Sequence, residues 1–248
     1  MSTVLAAVDD SLCAGPVLAA ARAFAPLLGS EVHALHVGQD AGATAREHAR
    51  RVGVPFRQVG GDPLEVLAER AGSGVTAVVV GARDRASAAA AGHLPLALAD
   101  RVPCPVLVVP PDWPPKERFE RVLIALEGRP GRARPLRHAV DVVAGADLDL
   151  TVVHVEGEQD VPAFSDAPAH EMAAFAQEYL ARAWPKAPPL RLALPVGSPA
   201  DEVLALARDL QPDVLVAGWP QGAGPAHGHV VRELLRRAPC PVLLVAVE

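Results

Sequence analysis

The residues of this 248-residue chain whose chemistry could exceed packing are nine histidines, three cysteines and a run of arginines. Cys13, Cys104 and Cys240 stand too far apart for a disulfide framework or a zinc site and read as buried or reduced thiols. Cys104 and Cys240 each follow a proline at the start of an apolar run, where packing explains them. His227-Gly228-His229 has the spacing of a two-imidazole metal pair, but no third ligand stands near it in sequence. His36 and His154 sit inside apolar runs and read as hydrogen-bonded core histidines. Arg129, Arg132 and Arg134 open a helical stretch, where cations oppose the helix dipole. They either await an anion or form a solvated turn paired with Glu127 and the carboxylates just upstream. A Ser-His-Asp order, paired catalytic carboxylates, a Walker lysine loop and a Gly-x-Gly-x-x-Gly after a strand are all missing from the sequence. The expectation is a protein that is not an enzyme.

The elements that position these residues occur twice. Val102-Pro103-Cys104-Pro105-Val106-Leu107-Val108-Val109 returns as Ala238-Pro239-Cys240-Pro241-Val242-Leu243-Leu244-Val245, and Thr76 to Gly81 returns as Asp213 to Gly218. Those offsets are 136 and 137, whereas Val4 to Asp9 matches Val122 to Glu127 at an offset of 118. The second copy therefore carries an insertion of about 18 residues between Val155 and Gly197, much of it in the turn-rich segment from Glu156 to Pro168. Strands are expected near 3–8, 31–37, 54–59, 76–81 and 105–109, with helices near 14–28, 42–52, 62–72 and 93–101. Asp62-Pro63-Leu64-Glu65 offers a capped helix start, and Ser198-Pro199-Ala200-Asp201 repeats the device. Alternating strands and amphipathic helices imply an α/β fold with a parallel sheet covered on both faces. The division expected is 1–110, a proline-rich linker at 111–120, and 121–248.

Half of the residues are apolar, 21% are charged and only 4% are aromatic, so two aliphatic cores are expected. The formal net charge of −6 argues against a general nucleic-acid binder. No stretch approaches the length of a membrane span, and MSTVLAAVDD carries no basic segment before its short apolar run. A cytoplasmic protein is expected.

A strand ending in Asp9, the strand Leu35-His36-Val37, the helix start at Gly61-Asp62-Pro63, the strand end Val78-Val79-Val80-Gly81 and the closing Pro103-Cys104-Pro105-Val106-Leu107-Val108-Val109, in that order, resemble the universal stress protein domain. The second copy repeats the series, so the chain resembles a tandem member of that family. The resemblance implies two doubly wound domains, each with five parallel strands in the order 3-2-1-4-5 and helices on both faces. It also implies that the domains pair through their last strands as an intrachain pseudo-dimer.

In nucleotide-binding members of the family, ATP lies across the carboxyl ends of strands one and four, where strand order reverses. The phosphates rest on a Gly-x-x-Gly loop and a later Gly-Ser or Gly-Thr at a helix start, because bare glycine amides and a helix N-terminus approach anions closely. Carried over, the first copy supplies Asp9, Val37, Gly81 and Gly92, with Arg83 as a cation within the loop. It departs at Asp84 in place of the second glycine, at His93 in place of Ser or Thr, and in a loop two residues shorter. The second copy supplies Glu127, Val155, Gly218 and Gly228, with Gln221 and His229 at the departing positions and a loop three residues shorter. Asp9 is either the ribose contact or a polar strand terminus that caps a helix, and His93 and His229 either donate to an anion or cap. The implied function is a stress-response or regulatory module with degenerate nucleotide-binding loops. The alternative is a sensor that takes ATP or another adenine nucleotide in the first half, and a nucleotide hydrolase is the third. Homodimerisation and an unidentified protein partner are further expectations.

Overall fold

The computed structural model describes residues 2–39, 42–72, 74–82, 93–126, 148–155, 190–221 and 228–247. Short aliphatic runs form the strands of the first half: β1 (Thr3–Ala7), β2 (Glu31–Val37), β3 (Phe56–Val59), β4 (Val75–Gly81) and β5 (Val106–Val109). Between them lie α1 (Ala14–Phe24), continued by a 3-10 turn at Ala25–Leu28, then α2 (Ala43–Arg51), α3 (Pro63–Ala71) and α4 (His93–Ala99). The second half gives β6 (Arg121–Leu126), β7 (Asp149–His154), β8 (Leu190–Ala193), α5 (Pro199–Leu210), β9 (Val214–Pro220), α6 (His229–Arg237) and β10 (Val242–Val247).

All ten strands form one sheet in the order β3-β2-β1-β4-β5-β10-β9-β6-β7-β8. Each half has the order 3-2-1-4-5 and is parallel throughout. The seam is antiparallel, with Val242 opposite Val108, Leu243 opposite Leu107 and Leu244 opposite Val106. Antiparallel pairing of two equivalent strands relates the halves by a pseudo-twofold axis. It also leaves neither Val106–Val109 nor Val242–Val245 as an open apolar edge.

Because successive strand residues point to opposite faces, each strand feeds two core layers. Val4, Ala6, Ala77, Val79, Leu107 and Val109 face the layer under α1 and α2. Leu5, Val78, Val80, Val106 and Val108 face the layer under α3 and α4. Both layers run across the seam, the second one continuing under α5 and α6.

Three helix starts show how the sequence sets these elements. Asp62 Oδ1 accepts from Glu65 N at 3.1 Å and caps α3, with Pro63 in the first turn. Ser198 differs from expectation: it makes no side-chain bond to the backbone of α5. Its hydroxyl instead engages Asp201, whose carboxyl is lowered first by Arg237 and then by Ser198. The cap of α2 comes from afar, since Gly42 is left-handed (φ 52°) and offers no side chain, while Asp10 Oδ1 accepts from Ala45 N at 2.9 Å. Nor is 111–120 a free tether: Trp113 and Phe119 are buried, Phe119 stacking at 6.0 Å against Phe24 of α1 and at 5.9 Å edge-on against Trp113.

Candidate functional site

Strand order reverses between β1 and β4, and a crevice opens at their carboxyl ends. In the first half the crevice is a cavity of about 320 Å³. Ala7, Val8 and Asp9 follow β1 into it, Leu35 and Val37 come from β2, Val80 and Gly81 from β4, Leu67 from α3, and His93, Leu94 and Pro95 from the first turn of α4. The walls are aliphatic and the rim carries Asp9, Ser11 and His93, so the cavity offers an apolar interior with polar groups at its edge.

Asp9 is already at work within the fold. Its Oδ1 accepts from Ser11 N at 3.1 Å and from the Ser11 hydroxyl, and Ser11 Oγ in turn accepts from Cys13 N at 3.2 Å. The carboxylate therefore pins the turn between β1 and α1 that forms one side of the cavity. Gly81 also has a structural duty. A Cβ there would lie 2.6 Å from Cys13 Cβ, so only glycine lets α1 sit this close to the end of β4. The Cys13 thiol donates to Ala82 O at 3.6 Å. His36 is 2% exposed with Nδ1 3.0 Å from Val8 O, a core histidine behind the cavity wall, whereas His154 is half-buried. Among the described residues no group of three His, Cys, Asp or Glu side chains is placed to hold a metal.

The second half presents the same frame differently. Ala125, Leu126, Val155, Val203, Ala217, Gly218 and Val230 line a cavity of only about 140 Å³. Gly228 is left-handed (φ 78°), and a Cβ on it would meet Trp219 Cζ3 at 2.4 Å. The Trp219 ring thus occupies the space in front of the glycine that opens α6, with the Arg232 guanidinium 6.0 Å from its centroid. Trp219 is 5% exposed, and its indole N–H donates to Asp100 Oδ1 of the first half at 2.8 Å. Gln221, at the place of the second loop glycine, donates through Nε2 to Ala99 O at 2.8 Å and Val102 O at 3.1 Å.

The structure thus brings Asp9, Val37, Gly81 and His93 around one cavity and Val155 and Gly218 around the other. Gly228 packs on Trp219, and His229 is exposed at the start of α6. Arg83, Asp84, Gly92, Glu127, Arg129, Arg132, Arg134 and His227 lie outside the described residues. Sequence reasoning missed Cys13 against Gly81 and the reach of Trp219 and Gln221 to the other half. A signal existed for Trp219: it is one of three tryptophans in an aromatic-poor chain and stands where the first half has Ala82.

The fold is similar to that of a universal stress protein from Archaeoglobus fulgidus DSM 4304, at 18% identity and a TM-score of 0.61 over 99% of this chain and 96% of that one. A putative universal stress protein from Pseudomonas aeruginosa UCBPP-PA14 aligns over 100% of this chain and 94% of its own, at 19% identity and a TM-score of 0.71. At these identities the likeness is one of fold. No match is found among curated proteins. The sequence itself matches the model of the universal stress protein family over residues 118–246, and on that match the chain belongs to the universal stress protein family.

Proposed function

We propose that this chain is a non-catalytic stress-response or regulatory module that takes an adenine nucleotide in its first half only. The observation that carries this reading is the asymmetry of the two crevices. The first, about 320 Å³, is within the size range of small-molecule sites, while the second, about 140 Å³, is below it and has Trp219 in its cradle. Position supports the reading as well, since the larger cavity lies at the switch point of an α/β sheet. A cytoplasmic site of action belongs to the same proposal. Its support is that Cys13, Cys104 and Cys240 are free thiols and that no described helix is long and apolar enough to cross a membrane.

Calorimetric titration with ATP, ADP and AMP tests it. One ligand per chain is expected, and Val37→Trp, which fills the wall of the first cavity, is expected to abolish binding. Asp84→Gly, which removes a carboxylate from the loop following β4, should tighten ATP more than AMP. Two ligands per chain, or none with any of the three nucleotides, would overturn the assignment.

A further inference from the structure

The helix that walls the first cavity is held at its far end by the other half of the molecule. α4 has seven residues, a rise of about 10 Å. Its first turn supplies His93, Leu94 and Pro95 to the cavity, and it ends where Trp219 and Gln221 make their contacts. A helix this short has no stability of its own, so tertiary contacts set its position. One set is apolar, through Leu96, Leu98 and Ala99 in the core layer shared by both halves. The other set is polar: Trp219 and Gln221 of the second half bond Asp100, Ala99 and Val102, while Glu65 of α3 pairs with Arg101 just beyond the helix at 2.6 Å.

We propose that Trp219 and Gln221 are positioning residues that set the ligand affinity of the first half by fixing α4, so that the second half, with its own smaller cavity, serves as a clamp on the first. The proposal rests on the reading of the first cavity as the nucleotide site. The carbonyls at a helix C-terminus lack intrahelical partners. Gln221 satisfies two carbonyls at this end, Ala99 O and Val102 O, with one amide group. Trp219 adds a hydrogen bond of its own, its indole N–H donating to Asp100 Oδ1 at 2.8 Å.

At the positions of Trp219 and Asp100 the arrangement is one-sided among the described residues. At the offset of 137 the counterpart of Trp219 is Ala82, whose side chain has no donor and is too short to cross the seam. At the offset of 136 the counterpart of Asp100 is Arg236, which is engaged on its own helix with Glu233 Oε2 at 2.6 Å. The first half therefore has no equivalent grip through these positions on α6. One residue change, tryptophan where the first half has alanine, both covers Gly228 at the start of α6 and reaches the first half. Linkage makes the effect reciprocal: if the clamp favours the liganded seat of α4, ligand must tighten the clamp.

AMP titrations of the full chain test this with four variants: Gln221→Ala, Asp100→Ala, Asp100→Asn and Val37→Trp. Asp100 is exposed, so its replacement leaves the cores intact. Gln221→Ala and Asp100→Ala are expected to weaken AMP about fivefold or more. Asp100→Asn, whose amide oxygen still accepts from the Trp219 indole, is expected to restore most of the affinity. Hydrogen exchange supplies a readout that a merely structural role would not move: AMP should slow exchange of the amides of residues 96–102 in the native chain and much less in Gln221→Ala. Native affinity in both alanine variants, with binding lost in Val37→Trp, would overturn the clamp and leave the nucleotide site standing. Equal loss in Asp100→Asn and Asp100→Ala would also overturn it. Absence of AMP binding to the native chain would overturn the site itself and the clamp with it.

Discussion

Asp213 is the buried charge that joins the linker to the second half. It is 3% exposed just before β9, pairs with Lys116 through Oδ1, and accepts at Oδ2 from Glu120 N at 2.7 Å and Arg121 N at 2.8 Å. Burial alone would raise its carboxyl, but the Lys116 ammonium and the two backbone N–H groups more than offset this and hold it below the usual value. A depressed folded-state pKa contributes stability that is present above the unfolded value of about 4 and lost as pH falls through the lower folded value. Asp213→Asn is therefore expected to cost about 2 kcal/mol in urea unfolding at pH 7. The gap between variant and native protein should narrow once the pH drops below about 4; a pH-independent gap would count against the ionised pair. At the same place in the first half Thr76 does a neutral version of this work, donating through its hydroxyl to Thr3 O at 3.1 Å. The cysteines after the repeated prolines behave as packing residues: burial pushes the Cys104 thiol up to about 11 and Cys240, also near Asp213, up to about 12. Neither is a thiolate at neutral pH.

Between elements, the contact that shapes the site is α1 against the end of β4. Gly81 meets Cys13 Cβ at 2.6 Å in a hypothetical alanine variant, a distance that side-chain rotation cannot relieve. Gly81→Ala is thus expected to destabilise by about 1–3 kcal/mol as α1 is pushed outward. Cys13→Ala should not rescue it because the offending Cβ remains, whereas Cys13→Gly should recover part of the loss. Rescue by Cys13→Ala would show that the sulfur, not the backbone approach, sets the spacing. Local sequence made the helices legible where a cap lies within a turn of its target, as at Asp62. It did not reveal Asp10 as the cap of α2, because that bond joins residues 35 apart. At Ser198 it placed the helix start, with Pro199 in the first turn, but not the side-chain bond, which Ser198 does not make.

The ten strands form one sheet whose two core layers cross the seam, so each half covers apolar surface of the other. β5 is buried at every residue. A fragment of residues 1–110 would expose it as an apolar edge, and such edges recruit further strands. That fragment is expected to self-associate in sedimentation experiments, while the full chain unfolds in urea as a single transition seen alike by fluorescence and circular dichroism. A well-behaved monomeric fragment, or two separated transitions in the full chain, would show that the seam is a weak interface.

The sequence alone determined the repeat, the five strands of the first copy and the parallel α/β class. These follow from short-range regularities, the period of apolar residues and the turn chemistry between runs, which each segment carries by itself. The crevice around Asp9, Val37 and Gly81 and the pairing of the last strands came instead from the resemblance to the universal stress protein family, the pairing having a physical reason as well in the apolar character of both strands. Tertiary structure alone decided that the first cavity is the larger of the two. Trp219 and Asp100 are 119 residues apart and Gly81 and Cys13 are 68 apart in the chain. Their contacts exist only because the two packed layers and the antiparallel seam bring the end of β9 to the end of α4. Periodicity records that a residue is buried; it does not record against what, and the partner of a buried indole or glycine is set by the summed packing of the whole sheet.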